Sequence, residues 1–257
     1  MALVSILCTS KNEEENIARL LDSLLIQEPP VEIIVVDAGS RDRTQEIVRK
    51  YANSYPNIKL YVKEGTRGES LNYGIEKANG DIIAFIGADD EADKDWIKHI
   101  RKAIMDGNDV IFGKCVLIGK YTFERVKMFV DGVDISMPGT NTAYRKDVLL
   151  NVGGFDSKLV TAEDIDLHLR VVKAGYRIHI EENAIVYRYT RASIFKFIKQ
   201  AFWNGYGRKQ LLTKHGDVLT SSHSLGETLK THLSFLGMLR LISGMLGYFC
   251  SSIRGQK

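Results

Sequence analysis

In this 257-residue chain an apolar run, Ile82-Ile83-Ala84-Phe85-Ile86, leads through Gly87-Ala88 into Asp89-Asp90-Glu91-Ala92-Asp93, which holds four carboxylates in five residues. Hard oxygen ligands at a strand end suit Mg²⁺ or Mn²⁺ bridging a diphosphate, where a cation neutralises charge on a leaving group. An acidic surface loop capping a helix from near Asp95 explains the same residues equally well. Asp37 closes the run Ile33–Val36 and precedes Ala38-Gly39-Ser40. A carboxylate there can accept a hydrogen bond from a base or ribose, although an Asx-turn or helix N-cap is the simpler account of Asp37 alone. Thr161-Ala162-Glu163-Asp164 opens a helix. Thr161 with Asp164 three residues on has capping-box spacing. The chemical reading makes one of the two carboxylates a general base at a rigid helix N-terminus, where the dipole lowers its pKa unless burial raises it. No G-x-G-x-x-G, no G-x-x-x-x-G-K-[ST] and no zinc-spaced Cys/His set occurs, which disfavours dinucleotide oxidoreductases, P-loop kinases and zinc sites.

These residues need a scaffold. Leu3–Cys8, Glu32–Val36, Ile58–Val62 and Ile82–Ile86 read as buried strands, and Asn16–Leu25, Thr44–Tyr51 and Ser70–Lys77 between them show helical spacing. The alternation predicts right-handed βαβ crossovers and an α/β fold with a mostly parallel sheet covered on both faces. Ligands then belong at the carboxyl ends of the strands, namely at Thr9–Glu13, Asp37–Ser40 and Gly87–Asp93. Farther on, Asp95–Met105 reads as helix, Val110–Ile118 as extended and Arg145–Val152 as helix stopped by Gly153-Gly154. Thr161–Lys173 is a helix ended by Gly175, and Tyr176–Ile180 and Ala184–Tyr187 are two strands. Everything after Ser193 reads as helix, with a loop within His215–Ser224.

Composition is that of a globular protein, 44% hydrophobic and 26% charged. Three distant cysteines argue against a disulfide scaffold and for a reducing compartment, and no export signal is visible. The net charge of +3 hides a division: residues 183–257 carry +9 and residues 1–182 carry −6. An anionic surface, nucleic acid or lipid, is the partner that such asymmetry suggests. From Asn183 to Gly216 seven basic residues mix with aromatics and no carboxylate intervenes, as in interfacial helices. Leu233–Cys250 then carries a single charge, Arg240, and places Gly237, Arg240, Gly244, Gly247 and Ser251 on one face. A mid-helix Arg costs roughly 2.5–3.5 kcal/mol on insertion into a bilayer. The expectation is therefore a helix lying in the interface with Arg240 outward, or half of an oligomer contact, against the plainer alternative of a packed core helix.

In series, several short motifs resemble the family 2 glycosyltransferases, which have the GT-A fold. They are Val4-Ser5-Ile6-Leu7-Cys8-Thr9-Ser10-Lys11-Asn12-Glu13-Glu14, Val35-Val36-Asp37-Ala38-Gly39-Ser40, Asn72-Tyr73-Gly74-Ile75, Asn141-Thr142-Ala143-Tyr144-Arg145, Gly153-Gly154-Phe155-Asp156 and Glu163-Asp164-Ile165-Asp166-Leu167. The resemblance runs from Val4 to about His215. It implies a GT-A, Rossmann-like catalytic domain over 1–190, with a nucleotide-sugar half (1–112) and an acceptor half (113–190), followed by a helical extension over 191–257. It also implies a nucleotide-sugar donor, UDP-linked by preference, and one in-line displacement with inversion. Thr9, Lys11, Glu13 and Asp37 would hold the nucleoside, with Arg67 near the base or phosphates. Ala88, Asp89 and Arg188 would meet the diphosphate, Asp89 also meeting Mg²⁺ or Mn²⁺. Asp164 would deprotonate the acceptor hydroxyl, with Glu163 as the fallback base.

The chain departs from the family pattern at Gly87, where an Asp-x-Asp motif would have its first carboxylate. It departs again at Arg188, where relatives often carry His, and at Lys11, where many carry Tyr. Gly87 and Arg188 together predict a weak metal requirement. The stretch Arg191–His215 resembles the segment preceding membrane helices in relatives that build cell-surface polysaccharides or lipid-linked glycans. It lacks the Q-x-x-R-W motif of processive synthases, so one sugar per encounter is expected. The implied partners are a glycan or polyprenyl-linked acceptor and the cytoplasmic face of a membrane, met peripherally or through an anchor, with no nucleic acid; a homodimer through the last helix is the further expectation. Two alternatives stand beside this reading. One is a non-catalytic, degenerate transferase, for which Gly87 speaks. The other is an NDP-sugar nucleotidyltransferase, against which the glycine-free, acidic Thr9–Glu14 loop speaks.

Overall fold

The computed structural model describes residues 1–119, 127–189, 193–216 and 235–254. Strands β1 (Val4–Ser10), β2 (Val31–Asp37), β3 (Ile58–Val62) and β4 (Ile82–Gly87) form the first half, with helices α1 (Ile17–Leu25), α2 (Thr44–Ser54) and α3 (Arg67–Lys77) as crossovers. The chain continues through β5 (Asp90–Ala92), α4 (Trp96–Met105), β6 (Val110–Ile118), the hairpin β7 (Phe129–Val130) and β8 (Val133–Asp134), β9 (Thr142–Arg145) and α5 (Lys146–Asn151). It ends with α6 (Glu163–Lys173), β10 (Ile178–Tyr189), α7 (Ile194–His215) and α8 (Phe235–Arg254). Eight strands form one sheet in the order β3-β2-β1-β4-β9-β6-β10-β5. Pairing is parallel from β3 to β4 and between β6 and β10, while β9 and β5 run against their neighbours.

The near-continuous apolar strands are explained by burial on both faces. Ile6 and Cys8 of β1, with Ile33 and Val35 of β2, pack under Leu20, Leu21, Leu24 and Trp96 of α1 and α4. The alternate residues Leu7, Ile34 and Val36 face Leu71 and Ile75 of α3 and Leu167 and Val171 of α6. Each such side chain, fully buried, contributes about 1.5–3 kcal/mol. Trp96 is wholly buried, and its indole N–H donates to Asn141 Oδ1 at 2.7 Å. The glycine stops hold: Gly153, Gly154 and Gly175 all have positive φ after their helices.

Three expectations are corrected. Tyr176–Ile180 and Ala184–Tyr187 are one strand, β10, with an irregularity between Glu181 and Ile185. There Asn141 Nδ2 donates to Ala184 O at 2.9 Å, so a side chain replaces the interrupted ladder. Second, Thr161 does not cap α6. The N-cap is Ala162 in the left-handed conformation (φ 63), with no side-chain cap bond, while the capping box of this chain lies at Thr66 and Glu69, where α3 begins. Third, the small face of α8 is not left for a second subunit and Arg240 does not stand outward. A Cβ on Gly205 would strike Gly244 O, one on Gly247 would strike Phe202 O, and Ser243 Oγ donates to Ile198 O at 2.8 Å. The glycines thus let α8 cross α7 at backbone contact, and Arg240, half-buried, loads the neighbouring Arg208 with like charge. The outer face of α8 leaves Met238, Ile242, Met245, Leu246 and Phe249 more than half exposed. By length and composition Leu236–Ile253 could cross a membrane. Arg191, most of the loop expected within His215–Ser224, and Leu233 lie outside the described residues.

Candidate functional site

The carboxyl ends of β1, β2 and β4 point to one edge of the sheet, where they meet the N-termini of α3 and α6 and the end of β10. Asp37, wholly buried at the end of β2, accepts five hydrogen bonds: from Ser10 Oγ (2.9 Å), the Gly39 and Ser40 amides (3.1 and 2.7 Å), Ser40 Oγ (2.5 Å) and Gln45 Nε2 (2.7 Å). A carboxylate has about four lone-pair positions, so Asp37 is saturated by its own Asx-turn and the adjoining strand. The loop after β1 is tied to the same turn. The Asn12 amide donates to Ser40 Oγ at 2.8 Å, and the Arg41 amide donates to Asn12 Oδ1 at 2.9 Å. Thr9 is the penultimate residue of β1. The Glu13 amide donates to Thr44 Oγ1, and Glu13 Oε2 accepts from Asn16 Nδ2.

Between these loops opens a cavity of about 360 Å³ lined by Lys11, Asn12, Ala38, Gly39, Arg41, Glu64 and Gly65. Lys11 is among the residues the sequence points to, whereas Arg41 and Glu64 are not. Their signal was available, because Glu64 follows β3, and the strand-end rule applies to β3 as much as to its neighbours.

The acidic run behaves differently from a loop. Asp90 to Ala92 form β5 against β10, so Asp90 turns inward and is wholly buried while Asp89 stays partly exposed. Asp90 accepts the Gly87 amide at 3.0 Å and pairs with Arg188 Nε and Nη2 at 3.1 and 3.4 Å. Burial pushes its carboxyl above the ordinary value, and Arg188 opposes that rise. A Cβ on Gly87 would lie 2.7 Å from Asp90 Oδ2 and 3.1 Å from Asp89 Oδ1. Asp90 therefore fills the space that the missing carboxylate would occupy. No group of three His, Cys, Asp or Glu side chains suited to a metal occurs among the described residues. With Asp90 taken by Arg188, Asp89 is the side chain left to a hard cation, a set that fits one completed by a ligand's phosphates and water. Ala88, beside it, is buried.

Opposite this strand end, Arg67 opens α3 and pairs with Glu163 of α6 at 2.5 Å. Glu163 is 2% exposed. Burial raises its pKa, Arg67 opposes, and adjacent Asp164 raises it further. Asp164 accepts the Gly139 amide at 2.9 Å and the Ile165 amide at 2.8 Å, and keeps partial exposure. A Cβ on Gly139 would lie 2.6 Å from Asp164 Cβ, so glycine permits that bond. The two ion pairs also sense each other: the charge of Arg188 opposes that of Arg67. Beneath them burial, then Asp90, Asp89 and Glu13, push the Cys8 thiol up. The charges of Arg67, Glu163, Asp164, Arg188 and Asp89 are thus near enough to act on one another in series.

Helix α7 braces the other side of α6. Gly207 faces the Thr161–Ala162 corner, where a Cβ would lie 2.6 Å from Thr161 Cγ2, and Gln210 Oε1 accepts the Val160 amide at 3.0 Å. At its end Lys214 and His215 Nε2 reach buried Asp166 at 2.6 and 2.7 Å.

The family model described as Glycosyl transferase family 2 matches residues 5–155, and one described as Glycosyltransferase like family 2 matches residues 125–207. The chain is 26% identical over 242 residues to the dolichyl N-acetyl-alpha-D-glucosaminyl phosphate 3-beta-D-2,3-diacetamido-2,3-dideoxy-beta-D-glucuronosyltransferase of Methanococcus voltae, covering 83% of this chain and 75% of that one. It is 28% identical over 227 residues to glycosyltransferase AglE of Haloferax volcanii, covering 82% and 74%. Among solved structures, S. aureus TarS 1–349 with UDP-GlcNAc superposes with a TM-score of 0.66 at 23% identity, over 94% of this chain and 79% of that one. The Pyrobaculum calidifontis mannosyltransferase PcManGT with GDP-Man and Mn²⁺ gives 0.68 at 19%, over 97% and 75%. These two share the GT-A fold seen here.

Proposed function

The chain belongs to glycosyl transferase family 2 and is a glycosyltransferase, and from that membership we propose that it transfers a sugar with inversion from a UDP-sugar to a hydroxyl of a glycan or lipid-linked acceptor. The observation that carries the proposal is the electrostatic linkage of Asp164, Arg67, Arg188 and Asp89 at the strand ends. The acceptor oxygen attacks the anomeric carbon as the bond from that carbon to the diphosphate oxygen breaks. Its proton passes to Asp164, and the leaving nucleoside diphosphate carries the negative charge away. Asp164 suits this role better than Glu163, because it keeps exposure while Glu163 is buried against Arg67. Arg188 and Arg67 offer positive charge to the diphosphate. A divalent cation held by Asp89 and the phosphates would add Lewis-acid stabilisation of the leaving group. With two guanidiniums present, its requirement is weak. Transfer that survives chelation and is lost in Arg188→Ala supports this division, and the reverse pattern contradicts it.

The acceptor class and the site of action rest on the C-terminal helices. The exposed apolar side of α8 and the +9 charge of residues 183–257 suit an anionic membrane face, to which each basic residue near the surface contributes about 1 kcal/mol. The Methanococcus voltae relative, by its name, acts on a dolichyl phosphate-linked sugar, which supports a lipid-linked acceptor. Gly87 favours the binding-only alternative, and one assay separates the two: UDP-sugar hydrolysis present in the native protein and absent in Asp164→Asn excludes it.

A further inference from the structure

We propose that Asp166 is a positioning residue for the base Asp164, fastening the start of α6 to the last turn of α7, so that the C-terminal helices complete the catalytic unit. The inference rests on the reading of Asp164 as base and adds to it what keeps that carboxylate in place.

The start of α6 has no local cap to fix its direction. Its N-cap, Ala162, is left-handed and makes no side-chain bond. Asp164 leans on the Gly139 amide at 2.9 Å. Asp166 lies two residues on, roughly 200° around the helix, and faces the other way, to α7. It is wholly buried. Its Oδ1 meets Lys214 Nζ at 2.6 Å and His215 Nε2 at 2.7 Å, and its Oδ2 accepts from Arg170 Nε at 2.9 Å. Burial alone would raise this carboxyl, but the bonds from Lys214 and His215 and the charge of Arg170 bring it below its ordinary value. The first turn of α6 is thus gripped on one side by Gly139 and on the other by the end of α7.

Helix α7 is patterned for this grip. Gly207, Gln210, Leu211 and Lys214 fall on one stripe, at i, i+3, i+4 and i+7. Gly207 meets the Thr161–Ala162 corner, Gln210 the Val160 amide, and Leu211 shares a core cluster with Leu159 and Leu169. Lys214 bridges Asp166 and Asp156, each at 2.6 Å. Ile198, Phe202 and Gly205, on the opposite face of α7, meet α8. The grip also reaches inward, because Arg170, set by Asp166, donates to Val152 O and to Gly154 O. A buried ionic cluster of this kind adds little stability over apolar packing, and its best attested use is to fix register. Register matters two residues from a carboxylate that must meet a sugar hydroxyl. A misplacement of about 1 Å there costs on the order of 10²-fold in rate.

The test is a mutant cycle on the full chain: native protein, Asp166→Asn, Asp164→Asn and the double variant. Hydrolysis of UDP-glucose, UDP-galactose and UDP-N-acetylglucosamine is followed below each protein's melting temperature, with UDP affinity measured by calorimetry. Asp166→Asn is expected to lower kcat by about 10- to 100-fold and to leave the UDP Kd unchanged. In the Asp164→Asn background it is expected to add no further loss, because a residue acting through Asp164 has nothing left to position. Equal losses in both backgrounds mark a purely structural role and overturn the proposal, as does undiminished turnover in Asp166→Asn. If Asp166→Asn does not fold, Lys214 decides. Lys214→Ala is expected to lose about 10-fold in kcat at unchanged UDP Kd, and Lys214→Arg, which keeps the charge, to recover it. Native kcat in Lys214→Ala, or no recovery with arginine, overturns the proposal. Turnover undiminished in Asp164→Asn, or absent from the native protein, overturns the base reading itself, which separates its failure from that of the positioning.

Discussion

Two buried glutamates divide the molecule. Glu32, on β2, is 6% exposed and is held by Ser5 Oγ, the Asn79 amide and side chain, and Lys59. Burial pushes its pKa up, but those donors outweigh it and bring it down to about 2. Glu163, on α6, is 2% exposed, has Arg67 as its ion-pair partner and stands next to Asp164. There burial prevails and the pKa rises. At Glu32 and Asp37, on β2, buried charge is saturated by several donors and serves the fold. Glu163 and Asp90 depend chiefly on one guanidinium each, from Arg67 and Arg188, and burial prevails. Carboxylates raised by burial beside a charge partner concentrate at sites arranged for chemistry.

The sharpest way to break this contrast is at the exposed end of the α6 pair. Asp164→Asn should cut turnover by about 10²–10⁴-fold, the contribution of a general base, with UDP affinity by calorimetry unchanged. Next comes Arg188→Ala, which leaves Asp90 buried without its cation. Urea denaturation should show a loss of about 3 kcal/mol, since stripping one partner from a buried pair strands the other charge. Gly207→Ala should follow. A methyl pressed against Thr161 Cγ2 costs about 1–3 kcal/mol and, by tilting the start of α6, should lower kcat while leaving the UDP Kd alone.

The two glutamates also predict opposite acid behaviour. Glu32 has a folded pKa of about 2 against an ordinary 4.5. Its stabilisation is fully present above pH 4.5 and is lost as pH falls toward 2. Glu163 is raised by burial, so its protonation as pH falls relieves the fold rather than weakening it. Glu32→Gln should therefore flatten the acid limb of the stability profile, and Glu163→Gln should not. The smallest effect on the fold belongs to α8: Met245→Glu with Leu246→Glu, both exposed, should leave the melting temperature within a degree or two and abolish co-sedimentation with anionic vesicles, because apolar contact is lost and like charge faces the lipid.

The same division governs what the sequence discloses. The strands, their crossovers and the strand-end loops were readable because each depends on neighbours within a few residues: apolar runs, helical spacing, the Asp37-Ala38-Gly39-Ser40 turn. The partners of the second region were not readable. Arg67 meets Glu163, Arg188 meets Asp90 and His215 meets Asp166 across 96, 98 and 49 residues. Thr161-x-x-Asp164 looked like a capping box, but Asp164 is drawn to the Gly139 amide, and the helix starts instead from a left-handed Ala162. Backbone strain of about 1–2 kcal/mol at such a residue, held by α7, leaves no trace in local propensity. The glycines of α8 were noticed, yet they fit a partner helix within the chain as well as one outside it, and the fit to α7 decides between them.

Turnover of a UDP-sugar by native protein and by Asp164→Asn, with the UDP affinity of both measured alongside, tests the central claim most directly. The account predicts equal UDP affinity and hydrolysis or transfer that is lost by at least about 10²-fold in the variant. Turnover undiminished in Asp164→Asn, or absent from both proteins while UDP still binds, would contradict it.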